Sequence, residues 1–110
     1  MKQPPGYQQP VYSQNEWLSL VFKTDLTPLH KLVATVISRT CVYSRKYSMQ
    51  VSDISHFTIS RVIKTNQPEV AAVVEDLINL GWLHDTGLKS GARFMYALTF
   101  SLIPLGTMRT

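Results

Sequence analysis

The stretch Ser55–Leu83, SHFTISRVIKTNQPEVAAVVEDLINLGWL, leaves a folded chain few choices. Val70, Val73, Val74 and Leu77 recur at i, i+3, i+4 and i+7, with Leu80 on the same face, which is the spacing of a helix that buries one stripe. Asn66 stands where its side chain can cap free backbone N–H groups, and Pro68 suits a first turn whose donors have no partner anyway. Gly81 closes the helix, because a glycine takes the left-handed conformation at little cost, and Trp82 and Leu83 leave as a strand. A shorter helix precedes it, capped by Ser55 and carrying Ile59, Val62 and Ile63 as its apolar face. With about one turn between them, the two helices must cross steeply, so the pattern predicts a helix-turn-helix whose second helix projects from the domain.

Length limits what surrounds that motif. At 110 residues and 45% hydrophobic composition there is material for one modest core and little for an enclosed catalytic cleft besides. The formal charge of +4 and pI near 9.4 favour an anionic partner, though the basic residues are spread along the chain. Cys41 is the only cysteine, so no internal disulfide can form, and its apolar helical surroundings predict a buried, reduced thiol in a reducing compartment. No apolar stretch is long enough to span a bilayer, and Met1–Pro10 has no signal-peptide core, so a cytoplasmic protein is expected.

The rest of the chain divides into three parts. Residues 1–12, rich in Gln and Pro, read as a flexible arm, with docking on a subunit or on DNA as the other reading. Residues 13–103 form the domain, and 104–110 a tail. Ser13 or Asn15 caps a first helix with Trp17, Leu18, Val21 and Phe22 on its apolar side; these complete the core or, in part, form a dimer seam with Ile103 and Leu105. Thr27-Pro28 opens the next helix, whose Leu29, Leu32, Val33, Val36 and Ile37 make it the central core element up to about Cys41 or Val42. After a polar break that exposes Arg45 and Lys46, Met49, Val51 and Ile54 suggest a short strand. Beyond Trp82, two runs around Gly87 and Gly91 predict a β-hairpin, with Lys89 at its tip, Arg93 close by, and Phe94, Tyr96, Leu98 and Phe100 alternating. The expected fold is therefore α+β, mostly helical, a winged helix-turn-helix with a C-terminal β-hairpin wing.

The same residues resemble the winged-helix regulators of the multiple-antibiotic-resistance repressor (MarR) type. The family's Leu-Thr helix opening is similar to Leu26-Thr27, its Leu-Ala pair to Ile59-Ser60, and its Ser-Arg-Pro-Thr-Val start of the recognition helix to Asn66-Gln67-Pro68-Glu69-Val70. Leu77, Gly81, and the wing ending Gly91-Ala92-Arg93, Tyr96 and Leu98-Thr99 continue the likeness. The run LTPLHKLVATVISRTCVYSRKYS is also similar to the winged helix of lambdoid phage replication initiators. The chain departs from the MarR type in lacking full-length outer helices and in having Asn66-Gln67 for Ser-Arg. The resemblance implies a homodimer that binds a specific double-stranded DNA site, as a transcriptional regulator or as an origin- or centromere-binding factor of a plasmid or phage, associated with the nucleoid.

In that setting Asn66, Gln67, Glu69, Ala71 and Ala72 would face base edges: the carboxamides suit adenine, the carboxylate suits cytosine, and the alanine methyls suit thymine. Phosphate contacts would fall to Arg45, Lys46, Arg61, Lys64, Lys89 and Arg93, six cations framing one helix. That helix has no Lys or Arg, and Glu75 and Asp76 follow in its next turn, which favours the competing expectation of a winged-helix protein-interaction module with little DNA affinity. His30, His56 and His84 are too far apart for a local metal motif, and no nucleophile motif, phosphate loop or carboxylate pair occurs, so no catalysis, metal or cofactor is expected.

Overall fold

All four helices of the described residues begin where a side-chain oxygen supplies the acceptor that the first turn lacks. Ser13, Thr27, Ser55 and Asn66 accept from the backbone N–H of Glu16, His30, Thr58 and Glu69, three residues on in each case. In the computed structural model, which describes residues 8–11, 13–46, 48–91 and 93–101, the order is β1 (Gln8–Pro10), α1 (Gln14–Phe22), α2 (Pro28–Thr40), β2 (Cys41–Ser44), β3 (Met49–Ser55), α3 (His56–Ile63), α4 (Gln67–Asn79), β4 (Leu83–Ser90) and β5 (Arg93–Ser101).

The strands form one antiparallel sheet built on β5, which pairs with β1, β3 and β4, while β2 pairs with β3. Val11 donates to the Leu98 carbonyl and Thr99 donates to the Trp82 carbonyl; successive C=O and N–H groups point to opposite edges, so β1 and β4 flank β5 on different sides. One sheet face, through Ile54, Tyr96 and Leu98, closes a core with Trp17, Val21, Val33, Ile37, Ile59, Val70, Val74 and Leu77 of the helices. The other face carries a smaller cluster of Met49, Val51 and Ala97, so the alternation along β3 and β5 separates two apolar layers. Each fully buried Leu or Ile in the main core contributes about 1.5–3 kcal/mol.

Trp17 fixes α1 to the sheet. Its indole Nε1 donates to the carbonyls of Trp82 (2.9 Å) and Thr99 (2.8 Å), and its side chain is fully buried. At the other end of the motif, Gly81 (φ 90°) terminates α4: its N–H reaches the Ile78 carbonyl, and that of Trp82 reaches Leu77. These are the two bonds of a Schellman closure, and their geometry requires the positive φ.

Several expectations are corrected. The fold is α+β, but it is less helical than expected, because β1, β2 and a long β4–β5 pair add strand. Part of the anticipated arm is β1, followed by buried Val11; polar residues can pair through their backbone, and composition does not report that. Helix α2 stops at Thr40, so Cys41 opens β2 instead of continuing a helix. It is buried there, its thiol donates to Gln14 Oε1 at 3.3 Å, and burial pushes the thiol pKa up. Leu32 and Val62, read as core, are 51% and 60% exposed, because the buried arcs of their helices centre on Val33–Ile37 and on Ile59–Ser60. The hairpin turns at Gly91, not at Lys89, and Gly87 sits in an irregularity within a continuous β4.

Candidate nucleic-acid interface

The linker between α3 and α4 is three residues, and its shape comes from Lys64. That residue caps α3 in the left-handed region (φ 58°, ψ 51°) with its N–H on the Ser60 carbonyl, and the Thr65 N–H returns to the same carbonyl at 2.9 Å. Thr65 Oγ1 donates to Glu69 Oε2, and Asn66 Oδ1 accepts from Glu69 N at 2.9 Å. Residues 65–69 thus tie the turn to the first turn of α4. Two expected readers of bases are committed to the helix start: Asn66 by its carbonyl oxygen and Glu69 by one carboxylate oxygen.

Asn66, Gln67, Glu69 and Ala72 are exposed, whereas Ala71 is half-buried. Ala71 instead lines a groove of about 380 Å³ against the hairpin, with His56, Glu75, Asn79, Asp85 and Tyr96 also on its walls. At 100° per residue the outward centre of α4 falls on Pro68, Ala72 and Asn79. Asn79 is exposed on that line, beyond the first turns on which the expected base contacts lie.

The six cations do not form one frame. Arg61 and Lys64 are exposed at the end of α3, beside the start of α4. Arg93 pairs in register with Ser55 and Ser90, at the end of the sheet where α3 begins; its guanidinium lies 4.0 Å from Asp53, and both groups are largely exposed. Lys89 pairs with Phe94 and places its Nζ 5.7 Å over that ring. Arg45 and Lys46, exposed in the β2–β3 turn, are separated from this group by the length of β3, about 20 Å at 3.3 Å per residue.

The acidic residues of α4 are partly answered. Asp76 Oδ2 lies 2.9 Å from His30 Nε2 on α2, a pair 46 residues apart in sequence that no spacing rule anticipates. On the wall of the groove, His56 Nε2 and Tyr96 Oη are hydrogen-bonded at 2.9 Å, and the His56 ring stacks on Phe94 with centroids 4.9 Å apart. Burial holds the imidazole below its usual range; burial, then the Asp85 carboxylate, pushes the phenol up to about 12. Both groups are neutral near pH 7, so this pair braces α3 against β5.

The expected dimer seam is also corrected. Trp17 and Val21 are fully buried within the chain and cannot meet a partner, while Phe22 is 51% exposed and Leu18 half-buried. Ile103 and Leu105 lie outside the described residues. Among the described residues no three His, Cys, Asp or Glu side chains gather as a metal site, and no helix is long and apolar enough to cross a membrane. No protein-family model matches the chain, nor does any curated protein or solved structure.

Proposed function

We propose that the chain is a winged helix-turn-helix protein that binds a specific double-stranded DNA site as a homodimer. One observation carries the reading: the first turns of α4, exposed at Gln67, Glu69 and Ala72, stand beyond a three-residue turn and beside the exposed cations Arg61 and Lys64. Gln67 has both a donor and an acceptor for an adenine edge, the free oxygen of Glu69 can accept from cytosine, and Ala72 can lie on a thymine methyl. Arg61 and Lys64 serve phosphates on one side, and Lys89 and Arg93 of the β4–β5 wing serve them on the other. Arg45 and Lys46 fall outside this footprint. Such a module acts as a transcriptional regulator or as an origin- or centromere-binding factor of a mobile element, in the cytoplasm on the nucleoid.

Selection from a random duplex pool tests the reading. Enrichment of one motif, bound at least about 10³-fold more tightly than scrambled duplex and weakened by salt, is the expected result. Failure to enrich any motif overturns it. The second reading, a protein-interaction module, is favoured by one feature: α4 exposes Glu69, Glu75 and Asp76 and has no cation of its own to set against phosphate repulsion. It predicts no enrichment together with a stoichiometric complex with a basic protein.

A further inference from the structure

Among the described residues, helix α1 carries an outward face exposed at Asn15, Ser19 and Phe22. Asn15, Leu18, Ser19 and Phe22 recur at i, i+3, i+4 and i+7, opposite the fully buried Trp17 and Val21. Phe22 is 51% exposed, with Lys31 Nζ 6.0 Å over its ring, and Leu32, the next residue of α2, is exposed to the same extent. A depression of about 440 Å³ lies on this face; among the described residues Asn15, Leu18, Ser19, Phe22 and Lys23 line it. An exposed phenyl ring and a half-buried leucine beside a concavity mark a surface that gains by being covered.

The charges on α1 specify what covers it. Glu16 and Lys23 are both exposed and seven residues apart, which is two helical turns, so they sit on one flank about 10 Å from each other. Leu18 and Phe22 occupy the opposite flank. A two-fold axis perpendicular to α1 and midway between Glu16 and Lys23 sets each Glu16 against the other copy's Lys23. The same axis brings Phe22 onto the other copy's Leu18 and leaves Ser19, a small residue, near its own mate, where the helices must approach most closely. The apolar and ionic matches therefore come from one symmetry operation, as a self-complementary contact requires.

We infer that a second copy of this chain docks here, through an antiparallel α1–α1 pairing about that axis. This supplies the contact for the homodimer proposed above and rests on that part of the reading. Helix α1 packs on α2 and β5, whereas α4 packs on α2, α3 and β4, so the pairing leaves the outer surface of α4 clear. A nine-residue helix against its mate falls at the small end of specific interfaces, below about 1,200 Å², so assembly depends on protein concentration.

Sedimentation equilibrium over a broad concentration range, with circular dichroism to verify folding, tests the pairing on the full chain. Wild type is expected to move from 12.5 kDa toward twice that mass. Glu16→Lys and Lys23→Glu, each of which sets like charges together, are expected to weaken assembly about tenfold, and the double exchange Glu16→Lys/Lys23→Glu to restore it. Phe22→Asp should abolish assembly while leaving the fold intact. A wild type that stays at 12.5 kDa, or a double exchange no more dimeric than either single change, overturns the inference. Duplex binding, measured separately by anisotropy, keeps the two failures apart: a monomer that binds DNA sinks only the pairing, and a charge-dependent dimer without DNA affinity sinks only the DNA reading.

Discussion

Replacing Trp17 by Phe is the perturbation that most sharply separates a core bolt from an interface residue. The indole N–H serves two carbonyls at 2.8 and 2.9 Å in a site with no solvent access. The Trp82 carbonyl keeps the Thr99 N–H at 3.2 Å, so its loss falls at the low end for a buried bond, about 0.5 kcal/mol. The Thr99 carbonyl loses a better-placed donor, about 1 kcal/mol. Replacing indole by phenyl leaves a gap of roughly 40 Å³, which at 24 cal/mol per Å³ costs about 1 kcal/mol, with a lost transfer contribution of about 0.5 kcal/mol. The sum is about 3 kcal/mol, or a fall in Tm of roughly 12 °C for a chain of this size. Urea unfolding at two protein concentrations is the assay: the loss should appear in the folding free energy and not depend on concentration. A change below about 1 kcal/mol, or one confined to a concentration-dependent step, would refute the placement of Trp17 and the account of how α1 is held.

Three smaller perturbations probe the motif and its support. Gly81→Ala places a Cβ on a residue at φ 90°, where the left-handed region costs a side chain about 1–2 kcal/mol; denaturant melts should show that loss, and no change would mean that the Schellman bonds do not end α4. Asn66→Ala removes the cap on Glu69 N and should cost about 1 kcal/mol, while Asn66→Asp, which keeps the acceptor, should cost much less; equal losses would contradict the capping role. Because burial lowers the folded-state pKa of His56, the unfolded chain takes up the proton first as pH falls below its ordinary value of 6.5, so stability is held at neutral pH and lost between that value and the lower folded pKa. Thermal melts from pH 7.5 to 5 should show this decline, flattened in His56→Gln; an unchanged slope would remove His56 as its source.

The α3–α4 region was readable because its information is local. Asn66, Pro68, the Val70–Leu77 stripe and Gly81 each act within a few residues of themselves, and all sit where the sequence reading put them. The alternating Phe94, Tyr96, Leu98 and Phe100 likewise fall on the face of β5 that meets the helices. What stayed hidden depends on distant partners. Strand β1 exists because β5 offers it backbone groups, and Gln9 and Pro10 carry no strand signal themselves. Strand β2 was masked by apolar residues that fit the end of a helix equally well; Cys41 and Val42 continue the α2 pattern until β3 claims them. Leu32 and Val62 show the limit of periodicity, since a stripe on paper is wider than the arc a neighbour covers. For the candidate interface, spacing marked the helix, its turn and the Asn66 cap, but it could not show that Thr65 engages one carboxylate oxygen of Glu69. Nor could it show that Arg45 and Lys46 stand one strand length away.

Fluorescence anisotropy decides whether α4 binds duplex DNA as proposed. The probe is the duplex recovered by selection, set against a scrambled duplex of the same composition at two salt concentrations, for wild type and for Gln67→Ala and Arg93→Ala. Wild type should prefer the selected duplex strongly and lose affinity with salt. Gln67→Ala should lose about 1–3 kcal/mol and relax the choice at one base pair, and Arg93→Ala should weaken both duplexes alike with a shallower salt slope. Equal, feeble binding of wild type to both duplexes, unaltered by either substitution, would contradict the account and leave the acidic face of α4 to a protein partner.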